Sequence, residues 1–352
     1  MKPIRIIGGG IAGLTAAINL SKAGIEVEVH ERKTFCGKHT NDFQFLENWI
    51  FDKDALDDLE SMDILVDFYY KPWLSQEFLS PSLKKFLGTS SKPLMYLVKR
   101  GHSKDSIDQA LTRQASANGV KIIYESNLSI AQADVVACGI KNPAFIAMGL
   151  KFPCNYPEKS IVLLDDTLSY KFYSYFIVND QVGEIVSVNP IEMKDHKRRL
   201  DNTVDRFEKI LKEDIYPCTE IFSAPVNFYF LKKANINKQY YIGEAAGFQD
   251  CLAGFGMLYA FKSGYLAAKS IIEDCDYDPL WREVMLKPMQ ISAVNRKLYE
   301  KLSNAGYEKL IDLLNSSNPV IRKLLGGSDL RTIMNKIYNH SLSFLLRYLL
   351  TR

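Results

Sequence analysis

The sequence predicts an α/β fold, and three observations in its 352 residues support that prediction. First, an apolar run with Ile4, Ile6 and Ile7 enters a glycine-rich turn, and helical and β-type patterns then alternate up to residue 30. Second, the alternation returns near residue 103, after a β-rich excursion. Third, a strand pattern near residue 240 runs into a second glycine-rich helix start. One α/β domain interrupted by insertions is therefore expected.

The first glycine-rich turn has the spacing of a dinucleotide-binding motif. Gly8, Gly10 and Gly13 follow the pattern G-x-G-x-x-G between a strand and a helix. Gly8 permits the tight turn, Gly10 leaves room for a pyrophosphate, and Gly13 lets the helix pack against the strands. The helix N-terminus favours an anion. Glu31, after the second strand, can accept both ribose hydroxyls and would repel a 2′-phosphate, so the motif favours FAD or NAD over NADP.

Length, charge and cysteine content limit the classes of function. A chain of 352 residues exceeds what one hydrophobic core usually supports, so two packed domains are expected. A net charge of +3 is too small to indicate a nucleic-acid partner. The sequence shows no membrane-spanning run and no signal-peptide pattern, and its six cysteines have no metal-site or disulfide spacing. We therefore expect a cytoplasmic protein without a metal site.

The chain between the two glycine-rich motifs predicts alternating helical and β-rich segments. Residues 43–62 have helical spacing, and residues 64–98 predict short strands, one of them around 77–87. A helix ending at Gly119 and strands at 120–124 and 133–139 follow. A hairpin at 160–190, joined near Asp180–Gly183, and a charged helix at about 193–213 come next.

The remaining segments lead into the C-terminal region. Residues 219–230 predict a pair of strands broken by Pro225. A strand from Tyr240 then runs into glycine, and a long helix extends from Gly254–Gly256 to about Glu273. From Pro279 to Arg352 the sequence predicts helices, with breaks at Gly306 and at Gly326–Gly327.

Four segments decide the cofactor when they are taken together. They are the GGGIAG turn with Glu31, Arg100 with the DxxLxxxAxxxG run from Asp108, the ADVVACG strand at 133–139, and residues 243–268. These segments resemble the FAD-dependent oxidoreductases related to geranylgeranyl reductase, within the glutathione-reductase-type FAD superfamily. The last segment is the most specific. The family pattern GDAAGxxxPxxGxGxxxAxxSGxxAA is matched at Gly243, Ala245, Ala246, Gly247, Gly254, Gly256, Ala260, Ser263, Gly264, Ala267 and Ala268.

The resemblance implies a Rossmann-like FAD-binding domain with an inserted antiparallel-sheet substrate domain and a helical C-terminal region. The predicted bounds are 1–62, 100–150 and 240–275 for the FAD-binding domain, 63–99 and 151–239 for the substrate domain, and 276–352 for the helical region. The residues expected to contact FAD are Gly8, Gly10, Ile11, Ala12, Gly13, Glu31, Arg32, Arg100, Gly139, Gly243, Glu244, Gly254, Phe255 and Gly256.

Several of these residues have specific expected roles. Glu244, where the family usually has Asp, can bond the ribityl chain, and the helix start at Gly254–Gly256 can stabilise charge on the reduced flavin. The resemblance places Arg100 near the diphosphate or ribityl region, and the alternative is a solvated arginine at a strand end. Cys251 stands where the family often has Pro. A small buried thiol and a redox-active cysteine are both considered for it.

Motif absences favour a reductase. The D-G motif of the aromatic hydroxylases is missing from ACGIKN at 137–142, and the W-x-W-x-I-P motif of the halogenases is absent. The aromatic substrate motif of the reductases is matched loosely by Tyr173, Tyr175 and Ile177, for which an ordinary aromatic strand is the alternative. The expected reaction is hydride transfer from reduced FAD to a C=C bond of a prenyl or other lipophilic substrate. The catalytic residue is unassigned, and the candidate proton donors are His39, His102, Tyr173 and Tyr175.

Two other functions stay open at this point. One is an FAD-dependent hydroxylase that lacks the D-G motif, and the other is a non-catalytic prenyl-binding protein on the same fold. NAD(P)H, a ferredoxin-type protein or a quinone is expected as the electron donor. The Leu-rich, basic segment 319–352, which ends in FLLRYLLTR, predicts either a helical cap or peripheral contact with a membrane surface.

Overall fold

Two structural units, each assembled from three separate segments, make up the chain in the computed structural model, which describes residues 2–37, 40–215 and 218–339. Unit 1 comprises Met1–Pro72, Met95–Asn142 and Asn227–Gln290, and unit 2 comprises Trp73–Leu94, Pro143–Val226 and Ile291–Arg352. These bounds differ from the predicted ones mainly at the C-terminus. The helices after residue 290 group with the second β-rich unit because their side chains bond to it, as Tyr307 does to Asp166.

The described strands and helices have the following bounds. The strands are β1 (Ile4–Ile7), β2 (Val27–His30), β3 (Phe43–Glu47), β4 (Tyr70–Trp73), β5 (Ser75–Leu79), β6 (Lys85–Thr89), β7 (Met95–Lys99), β8 (Lys121–Ile123), β9 (Val135–Val136), β10 (Phe145–Pro153), β11 (Lys159–Leu163), β12 (Ser174–Asn179), β13 (Val182–Pro190), β14 (Glu220–Val226), β15 (Asn235–Ile236) and β16 (Gln239–Tyr241). The helices are α1 (Ile11–Lys22), α2 (Ala55–Ser61), α3 (Ile107–Ala117), α4 (His196–Leu211), α5 (Met257–Ile272), α6 (Tyr277–Trp281), α7 (Lys287–Tyr299), α8 (Asn304–Leu314), α9 (Pro319–Leu325) and α10 (Leu330–Asn339).

A six-stranded sheet in the order β15-β16-β9-β1-β2-β8 organises unit 1. All neighbours are parallel except β15 and β16. Ile6 and Val29 of the central strands and Leu14 and Ile18 of α1 are fully buried, and each such side chain stabilises the fold by about 1.5–3 kcal/mol. The predicted α/β domain is confirmed, including its return at α3 and β8.

A three-stranded sheet in the order β3-β7-β4 corrects one prediction in unit 1. The helix predicted over 43–62 is wrong at its start, because β3 pairs antiparallel with β7 and sets Phe45 opposite Leu97. Only α2 is helical in this stretch. It begins after Asp54, whose carboxylate accepts a hydrogen bond from the Leu56 N–H. Tertiary pairing has overridden a local helical pattern.

A seven-stranded sheet in the order β14-β10-β13-β12-β11-β5-β6 forms the centre of unit 2. The predicted hairpin is confirmed in β12 and β13, and Asp180 and Gln181 at its turn have positive φ angles. The single strand expected around 77–87 is instead the hairpin of β5 and β6. Pro225 does not break β14. A proline is tolerated at this position because β14 is an edge strand that, among the described strands, pairs only with β10.

The C-terminal helices begin and end differently from the prediction. Gly326 ends α9 in the left-handed conformation, with φ 89°, as expected. Gly306 does not interrupt a helix. It is buried inside α8, and the preceding break falls just before Ser303. The segment FLLRYLLTR lies outside the described residues. Among the described residues, no helix is both long and apolar enough to cross a membrane.

Candidate dinucleotide site

Three glycines meet at one edge of the six-stranded sheet. Gly8, Gly139 and Gly243 follow the carboxyl ends of the adjacent parallel strands β1, β9 and β16, and all three have positive φ angles. A Cβ atom at Gly139 would lie 3.8 Å from Glu244 Oε2, so the loops after β9 and β16 converge. Ligands of open α/β sheets bind at this edge.

The glycine-rich turn leaves the start of α1 open. A Cβ atom at Gly8 would lie 2.3 Å from the Ala137 carbonyl oxygen, and one at Gly13 would lie 2.1 Å from the Gly8 carbonyl oxygen, so neither position tolerates a side chain. Gly10 differs, because a Cβ atom there would meet nothing within 4 Å. No side chain caps the first turn of α1, where Ile11 and Ala12 lie. This open helix start fits a diphosphate.

Glu31 is held beside the same turn. Its Oε2 accepts a hydrogen bond from the Gly9 N–H at 2.8 Å, and its Oε1 accepts one from the Lys33 N–H at 2.9 Å. Each carboxylate oxygen keeps a further acceptor position, so the side chain can still bind ribose hydroxyls. Arg32, which was expected to contact the cofactor, is exposed next to it.

Arg100 is a buried cation and not a solvated strand-end arginine. Its Nε and Nη2 bind the two Asp108 carboxylate oxygens at 2.9 and 3.0 Å, and its Nη1 binds Gln44 Oε1 at 2.7 Å. Burial disfavours the charge on Arg100, but Asp108 outweighs it, with smaller contributions from Asp42 and Glu244, and the pKa of Arg100 is raised. Arg100 therefore places a fixed positive charge near Glu244.

The second glycine-rich motif joins the first through direct packing. The Gly243 N–H donates to Ser263 Oγ at 2.9 Å. A Cβ atom at Gly264 would lie 2.4 Å from the Ala12 carbonyl oxygen, so α5 and α1 touch where glycine is required. The family-pattern residues Ser263 and Gly264 thus hold the starts of the two motifs together.

A compact loop precedes α5. Asp250 is fully buried and its carboxylate accepts hydrogen bonds from the Leu252 and Ala253 N–H groups, at 2.9 and 2.7 Å. Gly254 has a positive φ angle, and Gly256, the residue before α5, has no side chain that could cap the helix. The Phe255 ring lies edge-on to Trp49, with centroids 4.9 Å apart. Asp250 was missed by the sequence analysis, although its place between two glycine-rich stretches is typical of a turn residue.

Glu47 is a second residue that the sequence analysis missed. It is fully buried, and its Oε1 accepts a hydrogen bond from the Leu258 N–H in the first turn of α5 at 3.1 Å. Burial raises its pKa to about 8, although the Leu258 N–H lowers it. No sequence signal identifies this residue, because its contact depends on the strand β3 that the helical spacing concealed.

Two cysteines near the site, Cys36 and Cys251, are buried, whereas Cys138, which precedes Gly139, is exposed. Cys251 is 2% exposed and its thiol donates to the Phe228 carbonyl oxygen at 3.6 Å, as expected for a small buried thiol. Burial, with a contribution from Glu31, raises the pKa of Cys36 to about 11. Because this pKa is so far above 7, the Cys36 thiol is protonated and unreactive at neutral pH.

The predicted substrate residues lie in unit 2. The Tyr173 ring stacks on Phe172 with centroids 4.5 Å apart, and Tyr175 is 6.1 Å from Tyr173. Strand register places Tyr175 in an apolar row across the seven-stranded sheet, on the face opposite Phe176 and α4. The row consists of Phe78, Val162, Tyr175, Val186, Gly149 and Phe222.

The two candidate histidines have no established role. His102 is exposed and its Nε2 lies 2.9 Å from the Asn41 amide nitrogen. His39 lies outside the described residues. The proton donor therefore stays unassigned.

Comparisons with known proteins agree with this geometry. A family model described as an NAD(P)-binding Rossmann-like domain matches residues 6–56. AqdB2 of Rhodococcus erythropolis, a probable 2-heptyl-3-hydroxy-4(1H)-quinolone synthase, is 28% identical over 131 residues, which are 35% of this chain and 31% of that protein. The chain thus matches about a third of the length of this curated relative.

Two solved structures match over nearly the whole chain. A geranylgeranyl bacteriochlorophyll reductase-like protein from Thermoplasma acidophilum has a TM-score of 0.73 and 17% identity, over 95% of this chain and 98% of that chain. The chain has the fold of the FAD-dependent oxidoreductases. PqsL of Pseudomonas aeruginosa, a probable FAD-dependent monooxygenase, has a TM-score of 0.63 and 14% identity, over 88% and 99% of the two chains.

These likenesses confirm the predicted fold class, and FAD is the cofactor that this fold implies. The residues present fit that cofactor. The open start of α1 suits a diphosphate, Glu31 suits a ribose, and the glycine-rich start of α5 suits a ring that gains negative charge. At such low identity the solved structures establish the fold alone.

Proposed function

We propose that the protein is an FAD-dependent reductase that transfers hydride to a C=C bond of a prenyl or other lipophilic substrate. The observation that carries the proposal is the convergence of Gly8, Gly139 and Gly243, with the glycine-rich starts of α1 and α5, at one edge of a parallel sheet. Bound FAD would supply the two-electron chemistry. The chain's own residues would bind the cofactor and fix the charges around it.

Specific residues have specific proposed roles. The first turn of α1 would hold the diphosphate, and Glu31 would hold the ribose. Arg100, fixed by Asp108, would supply a positive charge near the ribityl or diphosphate region, and Glu244 would accept from the ribityl chain. The glycine-rich start of α5, with Gly254, Phe255 and Gly256, would stabilise negative charge on the reduced ring.

The apolar row of unit 2 supports a lipophilic substrate. Tyr173 and Tyr175 are half-buried on a face formed by aromatic and aliphatic side chains. The likeness to a protein named as geranylgeranyl bacteriochlorophyll reductase-like favours a prenyl chain as the group that they contact. NAD(P)H, a ferredoxin-type protein or a quinone would supply the electrons.

The test is product analysis with purified, FAD-loaded protein. Chemically reduced protein is mixed anaerobically with polyprenyl lipids, and mass spectrometry follows the gain of two hydrogens per double bond. Hydrogenated product supports the reductase. Flavin that stays reduced in the presence of every prenyl substrate contradicts it.

A monooxygenase is the second candidate. It is favoured by the likeness to a probable FAD-dependent monooxygenase and by the partial match to a quinolone synthase. Oxygen consumption that needs both NAD(P)H and an aromatic or lipophilic substrate would support it and contradict the reductase. A third candidate, a prenyl-binding protein without catalysis, would be supported by a protein that binds prenyl lipid but takes up no FAD.

Peripheral membrane contact through residues 319–352 is a further part of the proposal. Leu325, Leu330 and Ile333 are buried, which supports a helical cap over 319–339, while Lys323 is exposed on α9. Flotation with anionic and neutral liposomes compares the wild-type chain with K323E. Binding to anionic liposomes that the substitution weakens supports membrane contact, and equal partitioning contradicts it.

A further inference from the structure

Glu47 lies against the first turn of α5, and the proposed function gives it no role. Its side chain is fully buried, and one hydrogen bond, from the Leu258 N–H at 3.1 Å, satisfies only Oε1. Oε2 is buried and has no hydrogen-bond partner among the described residues. Burial disfavours the ionised carboxyl more than its own backbone N–H and the Leu258 N–H favour it, so ionisation is costly in such surroundings.

The groups around Glu47 add no compensating cation. Asp250, in the loop before α5, is a second carboxylate that raises the pKa of Glu47. Tyr259, on α5, is fully buried, and its hydroxyl has no partner among the described residues. Met95 stands opposite Glu47 on β7. The other ionisable groups on these elements are Cys251, Tyr265, Lys262, which pairs with Asp58, Lys269, which pairs with Glu273, Tyr96, which donates to Asp54, and Lys99, which pairs with Asp105.

The charge state of Glu47 controls the field at the start of α5. The N-terminus of a helix carries about half a positive charge, which favours an anion within the first turn. Neutral Glu47 leaves that positive end available to a second group. Ionised Glu47 places a full negative charge there, beside Asp250, and opposes any further negative charge at the same helix start.

We propose that Glu47 is a positioning residue whose proton is linked to the charge of the flavin at the start of α5. Protonated Glu47 leaves the helix start free to stabilise negative charge, and ionised Glu47 takes up a proton when that charge develops. This inference rests on the proposed function, because it needs a flavin at this helix.

The proton balance is simple. When dithionite reduces the bound flavin, two electrons enter the ring. If Glu47 begins ionised, one additional proton moves from solvent to a Glu47 carboxylate oxygen, and an O–H bond is the only bond formed there. By linkage, the proton on Glu47 must favour the reduced cofactor to the same extent as the reduced cofactor favours the proton.

The first measurement needs no cofactor. The full chain is labelled with glutamate that carries ¹³C at Cδ, and the carboxyl resonances are titrated in wild type, E47Q and the exposed control E60Q. Wild type and E60Q should share one resonance that titrates near pH 8 and is missing from E47Q. If every glutamate titrates near its ordinary value of 4.5, the inference is overturned whether or not FAD binds.

The second measurement is the midpoint potential of FAD-loaded protein between pH 7 and pH 10. Above pH 8, the midpoint potential of wild type and E60Q should fall more steeply with pH than that of E47Q. The additional slope should be up to about 30 mV per pH unit, which corresponds to one extra proton taken up for two electrons. Equal slopes overturn the inference and leave FAD binding intact. Should E47Q not fold, a wild-type potential without a change of slope near pH 8 overturns it. A wild-type chain that binds no FAD contradicts the proposed function itself.

Discussion

Asp108 and Glu47 are both fully buried carboxyl side chains of unit 1, and they differ in their partners. Asp108 binds the Arg100 guanidinium through both oxygens and also accepts from the Gly101 N–H at 2.8 Å. Glu47 has only backbone N–H donors and no ion-pair partner among the described residues. The difference shows that the partner, and not burial alone, decides whether a buried carboxyl carries charge.

The largest expected effect comes from D108N. The substitution keeps the size of the side chain but removes the carboxylate that binds Nε and Nη2 of Arg100, so the guanidinium loses its main counter-ion. Breaking a buried ion pair in this way costs about 3–5 kcal/mol, so we expect urea unfolding to show a loss of that order. A loss below about 1 kcal/mol would mean that Arg100 and Asp108 do not form the buried pair described here.

The comparison of carboxyl groups can be extended to the start of α1, where a substitution introduces a carboxylate. G10E would place an anion in the open space before the first turn of α1, where we expect the diphosphate. We expect FAD to bind at least about 100-fold more weakly, which is about 2.7 kcal/mol. Fluorescence titration with FAD measures it, and A117E, at an exposed position of α3, is the charge control. Equal affinities of G10E and A117E would contradict the assignment of the diphosphate site.

The pH dependence of stability tests the other side of the comparison. The pKa of Glu47 is raised in the folded state from its ordinary 4.5 to about 8, so the folded chain binds more protons than the unfolded chain between these values. Wild type should therefore lose stability relative to E47Q as the pH rises from 4.5 to 8, by up to about 1.4 kcal/mol per pH unit. Urea unfolding at pH 5, 6.5 and 8 measures the difference. Parallel profiles would show that Glu47 titrates normally.

The smallest effect is expected for an exposed pair. Lys121 Nζ binds Glu28 Oε1 at 2.8 Å, but the Lys121 side chain is 67% exposed. K121M should change the free energy of unfolding far less than D108N does, because solvent screens an exposed ion pair. Comparing the losses of unfolding free energy in K121M and D108N in the same buffer shows whether the buried ion pair stabilises the fold more than the exposed pair does. Equal losses for D108N and K121M would remove that distinction.

The sequence predicted the glycine-rich parts of the site well, because glycine spacing is a local property. The turn at Gly8 and the helix start at Gly256 follow from patterns that need no distant contact, whereas the meeting of β1, β9 and β16 joins distant parts of the chain. The roles of Glu31 and Glu244 toward FAD stay predictions. The redox hypothesis for Cys251 also stays untested, although its buried thiol is the commoner case.

The features that the sequence did not predict depend on tertiary pairing. The spacing of Leu46, Trp49 and Ile50 is helical, but the pairing of β3 with β7 makes its first part a strand and turns Glu47 toward α5. Pro225 likewise looked like a strand break, but an edge strand can accept it. The sequence also did not predict the burial of Arg100, because that burial depends on the Asp108 carboxylate, which α3 places beside the guanidinium.

The most direct test of the account is the flavin content of the purified chain. The protein is isolated, its bound cofactor is released by denaturation, and the cofactor is identified by chromatography and mass spectrometry. The account predicts one FAD per chain in wild type and A117E, and loss of FAD in G10E. A wild-type chain that carries no flavin and does not bind added FAD would contradict it.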